Sequence, residues 1–113
     1  MIDQVRPNDI SAWMQAQPGG SAGVVLDVRE PWELQTASVK PDGFALRAIP
    51  MNDIPARLGE LDANVPVACL CHHGARSQRV AAFLAAQGFA HVANIAGGID
   101  AWSAERDPRV PRY

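Results

Sequence analysis

The sequence predicts an α/β protein built on a central, mainly parallel sheet with helices on both faces. Three short apolar runs, residues 24–28, 66–70 and 91–95, have the length and composition of buried strands. Segments with helical spacing of apolar residues lie between these runs and are joined to them by short loops. Strands that alternate with helices in this way pair in parallel, because each helix carries the chain back to the same end of the sheet.

The first helix is predicted to follow Pro7 and to end before the Pro-Gly-Gly sequence at residues 18–20. Its apolar residues have the i, i+3, i+4 spacing of one helical face: Ile10, Trp13 and Met14. A second, short helix opens at Pro31, because proline suits the first helical position. The chain from 36 to 44 is predicted to be irregular, and residues 46–50 to form another short strand.

Three further helices are predicted in the second half of the chain. One is capped by Asn52 or Asp53 and places these apolar residues on one face: Ile54, Leu58 and Leu61. The next covers residues 76–87 and ends at Gly88, because glycine suits the left-handed position after a helix. The last is short and follows the glycine pair at residues 97–98.

The composition indicates one globular domain over residues 1–113, with 107–113 as an extended tail that contains two prolines. The net charge of −2 gives no electrostatic reason to expect a nucleic acid or an anionic membrane as partner. No apolar run is long enough to span a membrane, and residues 1–7 lack the apolar core of a signal peptide. Two cysteines cannot form a disulfide framework. We therefore expect reduced thiols in a cytoplasmic protein, with no cofactor.

One of these cysteines stands at a special place in the predicted fold. Cys71 comes directly after the strand at residues 66–70 and directly before a helix, so that backbone N–H groups and the positive end of the helix dipole would face its sulfur. Arg76 adds a permanent positive charge. Such surroundings favour the thiolate and bind an anion beside it. Cys71 also lies at the carboxyl end of a parallel strand, where ligands bind in sheets of this kind. The pattern predicts a reactive cysteine.

Four motifs occur along the chain in the order that a known family shares. They are residues 27–30 (Asp-Val-Arg-Glu) at the end of the first central strand, residues 71–77 (Cys-His-His-Gly-Ala-Arg-Ser), residues 89–95 leading into Gly97-Gly98, and Trp102. Residues 71–77 match the active-site loop Cys-x-x-Gly-x-Arg-Ser of the single-domain rhodaneses, which are sulfurtransferases. The chain resembles this family over nearly its whole length. The resemblance implies a rhodanese-like fold and a persulfide carried on Cys71.

The resemblance also implies roles for the loop. Cys71 would take a sulfane sulfur from a donor such as thiosulfate and pass it to a thiophilic acceptor, either cyanide or a thiol, including a protein thiol. The substrate-binding residues would be the rest of the loop: His72, His73, Gly74, Ala75, Arg76 and Ser77. Gly74 lets the loop close around a sulfur because it has no Cβ, and Arg76 would bind the oxyanion end of the donor. Ser77 would cap the following helix or donate to the sulfur.

Asp27 and Arg29 are predicted to support this site from the end of the first central strand. Asp27 is expected in a structural hydrogen-bond or charge network, and Arg29 either joins that network or touches the pocket. The two histidines would line the pocket mouth, and their part in catalysis is left open. A metal site is not expected, because neighbouring residues in one strand and loop cannot easily converge on a tetrahedral ion: Cys69, Cys71, His72 and His73.

Loop length separates sulfur transfer from phosphate chemistry. Cysteine phosphatases need Cys-x5-Arg, whereas Cys71 and Arg76 form the shorter Cys-x4-Arg. A phosphatase or arsenate reductase is therefore the weaker hypothesis. A persulfide carrier or protein-interaction module with little turnover is the main alternative to an enzyme. Residues 35–46 lack the Gly-His-Ile-x-Gly-Ala stretch usual in the family, so the family pattern does not fix the preferred donor or acceptor. The sequence determines neither the pathway nor the oligomeric state.

Overall fold

The computed structural model describes residues 2–113. Five strands of this chain form one sheet, and every pair of neighbouring strands is parallel. The strands are β1 (Asp3–Val5), β2 (Val24–Asp27), β3 (Ala45–Ala48), β4 (Val67–Leu70) and β5 (Val92–Ile95). Their order across the sheet is β1-β5-β4-β2-β3, so β4 lies at the centre and pairs with β5 and β2. The helices are α1 (Ile10–Gln15), α2 (Pro31–Thr36), α3 (Ala75–Ala86) and α4 (Gly98–Ala101), which continues as a π-helical turn over Trp102–Arg106. The predicted fold class is confirmed.

The two faces of the sheet bury separate apolar clusters. One face packs against α1, α4 and the chain around Phe44, whose ring meets the ring of Trp102 edge-on. The other face packs against α3 through Val80, Ala81 and Leu84. β4 is buried on both faces, as a central strand of a parallel sheet must be. Its alternation places Cys69 and Cys71 together on the α3 side.

The helix predicted over Ile54 to Leu61 is wrong. Two 3-10 turns stand there instead, Met51–Asp53 and Leu58–Glu60. A single α-helical bond, from the Arg57 N–H to the Asp53 carbonyl at 3.0 Å, marks where a helix begins to form. Proline is tolerated in a first helical turn, so Pro55 does not end the helix, but Gly59 is a poor helix former and the chain changes to a 3-10 turn at Leu58. The apolar residues of this segment still reach the core, with Ile54 buried.

Strand β1 was not expected from the sequence. It has three residues, and two of them, Asp3 and Gln4, are exposed. Such a short edge strand carries no periodic pattern of its own, because three residues are too few to show an alternation of apolar and polar side chains.

The final residues pack onto the body of the protein. The chain turns at Pro108 and Arg109, and Val110 is buried in the α1 and α4 cluster. The Ser103 hydroxyl donates to the Val110 carbonyl at 2.6 Å. Tyr113 then reaches the carboxyl end of the sheet, beside α2.

No helix within residues 2–113 is long and apolar enough to cross a membrane. The cytoplasmic location and the single-domain division stay predictions.

Candidate active site

The loop between β4 and α3 closes around the sulfur of Cys71. Cys71 is 1% exposed, and its Sγ accepts the Gly74 N–H at 3.1 Å. Ser77, in the first turn of α3, places its Oγ 3.2 Å from the same sulfur. Gly74 has φ +107°, a left-handed conformation that lets the chain turn back toward the sulfur and that other residues rarely adopt. The sulfur therefore lies at the N-terminus of α3, within reach of two donors.

The glycine pair at residues 97–98, at the start of α4, packs against the backbone of this loop. The N–H of Ile99 donates to the Cys71 carbonyl at 2.9 Å, and the N–H of Asp100 donates to the His72 carbonyl at 3.2 Å. The two backbones approach so closely that a Cβ on Gly98 would stand 2.4 Å from the His72 oxygen and 2.5 Å from the Cys71 oxygen. The start of α4 thus fixes the conformation of the cysteine loop.

Arg76 forms a bidentate ion pair with Glu33 of α2. Nη1 lies 2.6 Å from Oε1 and Nη2 lies 2.8 Å from Oε2. The same carboxylate accepts the Tyr113 hydroxyl and the Glu30 N–H. The Arg76 bond is the largest cause that lowers the pKa of Glu33, from its ordinary 4.5 to about 2. The pair in turn raises the pKa of Arg76, so the positive charge of the loop is permanent but already matched.

Because of the ion pair between Arg76 and Glu33, the free energy of unfolding is expected to depend on pH. Because the folded state lowers the pKa of Glu33, the stabilisation is complete well above pH 4.5 and is lost as the pH falls from there toward 2. The full shift corresponds to about 3 kcal/mol of unfolding free energy. We expect urea midpoints of the native sequence to fall more steeply than those of Glu33→Gln between about pH 5 and pH 3.

Glu60→Gln is the matched control for this prediction. Glu60 also pairs with arginine, but it and its partners Arg47 and Arg57 are about two-fifths exposed, so solvent screens the pair. Its removal should leave the acid dependence nearly unchanged. Parallel curves for the native sequence and Glu33→Gln would contradict the prediction.

Arg29 and Asp27 form a second, fully buried pair at the end of β2. The guanidinium binds Asp27 through Nε at 2.9 Å and Nη2 at 2.7 Å. Its remaining N–H groups donate to the carbonyls of Glu33 and Ala37 and to the Tyr113 hydroxyl. All five guanidinium donors are therefore used. The pair holds α2 and the chain after it against the sheet, and it does not open toward the sulfur loop.

Tyr113 connects the two ion pairs and contacts the loop. Its hydroxyl donates to Glu33 at 2.6 Å and accepts from Arg29 at 3.0 Å. The Tyr113 ring stacks on the His72 ring with 3.9 Å between the ring centroids. The other face of the His72 ring stacks on His73, also with 3.9 Å between centroids. His72 Nε2 lies 2.7 Å from the backbone oxygen of Tyr113, which can only accept, so this nitrogen is the donor in the contact. The two histidines thus face the final residues at the rim of the loop, beside the exposed Trp32.

Cys69 is a core residue on the strand that leads to the loop. Both cysteines are free thiols. Burial, and then the nearby Cys71, raises the pKa of the Cys69 thiol, so it stays protonated and unreactive. Within residues 2–113, no three side chains of His, Cys, Asp or Glu gather as they would around a metal ion.

Three residues of this site were not identified from the sequence as site residues: Glu33, Asn94 and Tyr113. Asn94 is a polar residue in the buried strand β5, 4% exposed, and it binds Ser77. A polar residue inside an apolar strand was the available signal, since buried amides need partners. Glu33 gave a weaker signal as a carboxylate in the first turn of a helix, and Tyr113 gave none.

These features define the class of protein: an all-parallel α/β fold with a cysteine loop at the carboxyl end of its central strand. The family model of the rhodanese-like domain matches residues 10–105. The chain belongs to the rhodanese-like family of sulfurtransferases, as its motifs predicted.

Relatives and solved structures agree with this assignment. The chain is 36% identical over 89 residues to the thiosulfate sulfurtransferase GlpE of Pseudomonas syringae, covering 78% of the chain and 80% of that protein. It is 33% identical over 116 residues to the chloroplastic rhodanese-like/PpiC domain-containing protein 12 of Arabidopsis thaliana. That alignment spans 99% of the chain but only 38% of the Arabidopsis protein. The crystal structure of a rhodanese-related protein from Thermoplasma volcanium superposes with a TM-score of 0.75 at 28% identity, over 98% of this chain and 99% of that one.

Proposed function

We propose that this chain is a sulfurtransferase that accepts a sulfane sulfur on Cys71 as a persulfide and passes it to a thiophilic acceptor. The observation that carries the proposal is the closed loop around Sγ, with the Gly74 N–H and the Ser77 hydroxyl within hydrogen-bond distance of it. Donors aimed at the sulfur, at the N-terminus of α3, stabilise a negative charge there. The same donors suit the thiolate that attacks and the thiolate that leaves.

The reaction with thiosulfate takes two displacements at sulfur. The Cys71 thiolate attacks the outer sulfur of thiosulfate, a new S–S bond forms, and sulfite leaves with the electron pair of the old bond. Cyanide or a thiolate then attacks the outer sulfur of the persulfide. The Cys71–sulfur bond breaks, and the electron pair returns to Cys71 as a thiolate. No proton has to move in either displacement when both nucleophiles are anions.

The loop favours this chemistry over phosphate transfer. It closes after Cys-x4-Arg, and its arginine already holds Glu33 with both terminal nitrogens. A phosphate bound at Arg76 would have to displace that carboxylate or accept its repulsion. A single sulfur on Cys71 needs no such rearrangement.

The persulfide itself tests the proposal. After incubation with thiosulfate, intact-mass spectrometry should show one added sulfur, and peptide mapping should place it on Cys71. Cys71→Ser should show no addition. Cys69→Ser is the matched control and should load like the native sequence, because Cys69 is buried behind the loop. An unmodified, free Cys71 after exposure to thiosulfate and to polysulfide would overturn the proposal.

A persulfide carrier with little turnover of small molecules is the second candidate. It is favoured by the ion pair between Arg76 and Glu33, because the carboxylate already balances the positive charge that would attract the oxyanion end of thiosulfate. Thiocyanate formation from thiosulfate and cyanide separates the two candidates. Rapid turnover supports the enzyme, whereas Cys71 that loads from polysulfide but turns over thiosulfate slowly supports the carrier.

A further inference from the structure

Ser77 stands between two buried groups and can donate to one of them at a time. Its Oγ lies 3.2 Å from Cys71 Sγ and 2.5 Å from Asn94 Oδ1. A serine hydroxyl has a single proton. The three residues are 4% exposed or less, so bulk water does not supply a replacement donor. The direction of the Ser77 proton therefore decides whether the sulfur receives a second hydrogen bond beside the one from the Gly74 N–H.

The orientation of the Asn94 amide settles that direction when Cys71 is a thiol. Asn94 Nδ2 lies 3.2 Å from the Gly74 carbonyl and 3.0 Å from Gln4 Oε1. A backbone carbonyl can only accept, so Nδ2 must face Gly74 and Oδ1 must face Ser77. Oδ1 in turn can only accept, and it takes the Ser77 proton. The thiol can then donate its own proton to Ser77 Oγ. In this arrangement Cys71 Sγ, Ser77 Oγ and Asn94 Oδ1 all have hydrogen-bond partners.

The thiolate changes this arrangement. When the thiol proton leaves to solvent, the charged Sγ attracts a second donor beside the Gly74 N–H, and the Ser77 hydroxyl turns from Oδ1 to Sγ. No covalent bond other than S–H breaks, and Ser77 keeps its proton throughout. Asn94 Oδ1 then loses its donor inside the protein, and an unpaired buried acceptor is unfavourable. Asn94 thus competes with the sulfur for one proton.

We propose that Asn94 is a positioning residue that sets the thiol–thiolate balance of Cys71 by competing for the Ser77 proton. The inference rests on the proposed function only in taking Cys71 as the reacting sulfur. The ionisable groups near that sulfur come from several elements: Cys69 on β4, His72 and His73 in the loop, Arg76 on α3, and Glu33 and Tyr113 behind Arg76. Substitution of Asn94 replaces none of these groups, so a change in ionisation comes from the lost amide and its hydrogen bonds to Ser77 and Gly74.

The test is a pH titration of the Cys71 thiolate by its ultraviolet absorbance, with Cys71→Ser as the blank. Asn94→Leu keeps a side chain of similar shape and removes the competing acceptor, and Asn94→Ala serves if the leucine variant does not fold. The midpoint should move to lower pH by about one unit, a tenfold change that one hydrogen bond to a charged group can produce. In a Ser77→Ala background the same substitution should move the midpoint little.

A merely structural role gives the opposite sign. Asn94 also anchors the Gly74 carbonyl, and a loosened loop would weaken the Gly74 donor to the sulfur, which moves the midpoint to higher pH with or without Ser77. That result, or an unchanged midpoint, would overturn the inference. Gln4→Ala is the matched control: it removes the exposed partner of Nδ2, leaves Oδ1 facing Ser77, and should not move the midpoint. The titration needs no sulfur donor, so failure to form a persulfide would leave it readable.

Discussion

Replacement of Arg29 by methionine is expected to lower the free energy of unfolding by about 3–5 kcal/mol. Methionine keeps an unbranched apolar stem but lacks the guanidinium, so the Asp27 carboxylate is left buried without its partner. Both native side chains are 2% exposed or less. The carbonyls of Glu33 and Ala37 and the Tyr113 hydroxyl lose their donor as well. Urea unfolding followed by circular dichroism near neutral pH measures the loss.

Two further variants separate the charge from the packing. Arg29→Met combined with Asp27→Leu should recover part of the stability, because the uncompensated buried charge is then gone. Arg57→Met is the matched control, since Arg57 forms an exposed pair with Glu60 and its removal should leave the urea midpoint nearly unchanged. A loss at Arg29 as small as the loss at Arg57 would refute the role given to the buried pair.

Gly98→Ala is expected to disable the cysteine loop and to destabilise the fold by about 2–5 kcal/mol. A Cβ at this position would stand 2.4 Å from the His72 oxygen, and the residue has φ +61°. The loop would have to move away from α4 and lose the Ile99 bond to the Cys71 carbonyl. Persulfide loading of Cys71, followed by mass spectrometry, should fall at least tenfold, because a misplaced nucleophile loses its alignment with the donor.

Gly88→Ala isolates the contribution of the backbone conformation. Gly88 follows α3 with φ +94°, and a Cβ there would meet no atom within 4 Å. This variant should lose some stability from the left-handed backbone but load sulfur like the native sequence. If Gly98→Ala loads as well as Gly88→Ala, the start of α4 does not position the loop.

Much of the fold follows from local patterns. A window of about ten residues is enough to predict the buried strands β2, β4 and β5 and the helix α3. Burial of a parallel strand and helical periodicity are both properties of short segments. The segment from Ile54 to Leu61 shows the limit of that reasoning, since its apolar spacing is helical while its backbone forms only 3-10 turns around the weak helix former Gly59. The apolar spacing predicted which residues are buried in the core, but it did not predict their backbone conformation.

The sequence by itself determined the α/β class, the family, and the place of Cys71 between a central strand and a helix. Only the tertiary structure decided what surrounds that loop. Arg76 meets Glu33 across 43 residues of chain, Tyr113 meets Glu33 across 80, and Ser77 meets Asn94 across 17. Such contacts depend on the order of the strands and on where each strand ends, and no local periodicity encodes them. The candidate nucleophile Cys71 belongs to a short sequence motif, whereas the partners of Arg76 and Ser77 depend on the arrangement of the whole sheet.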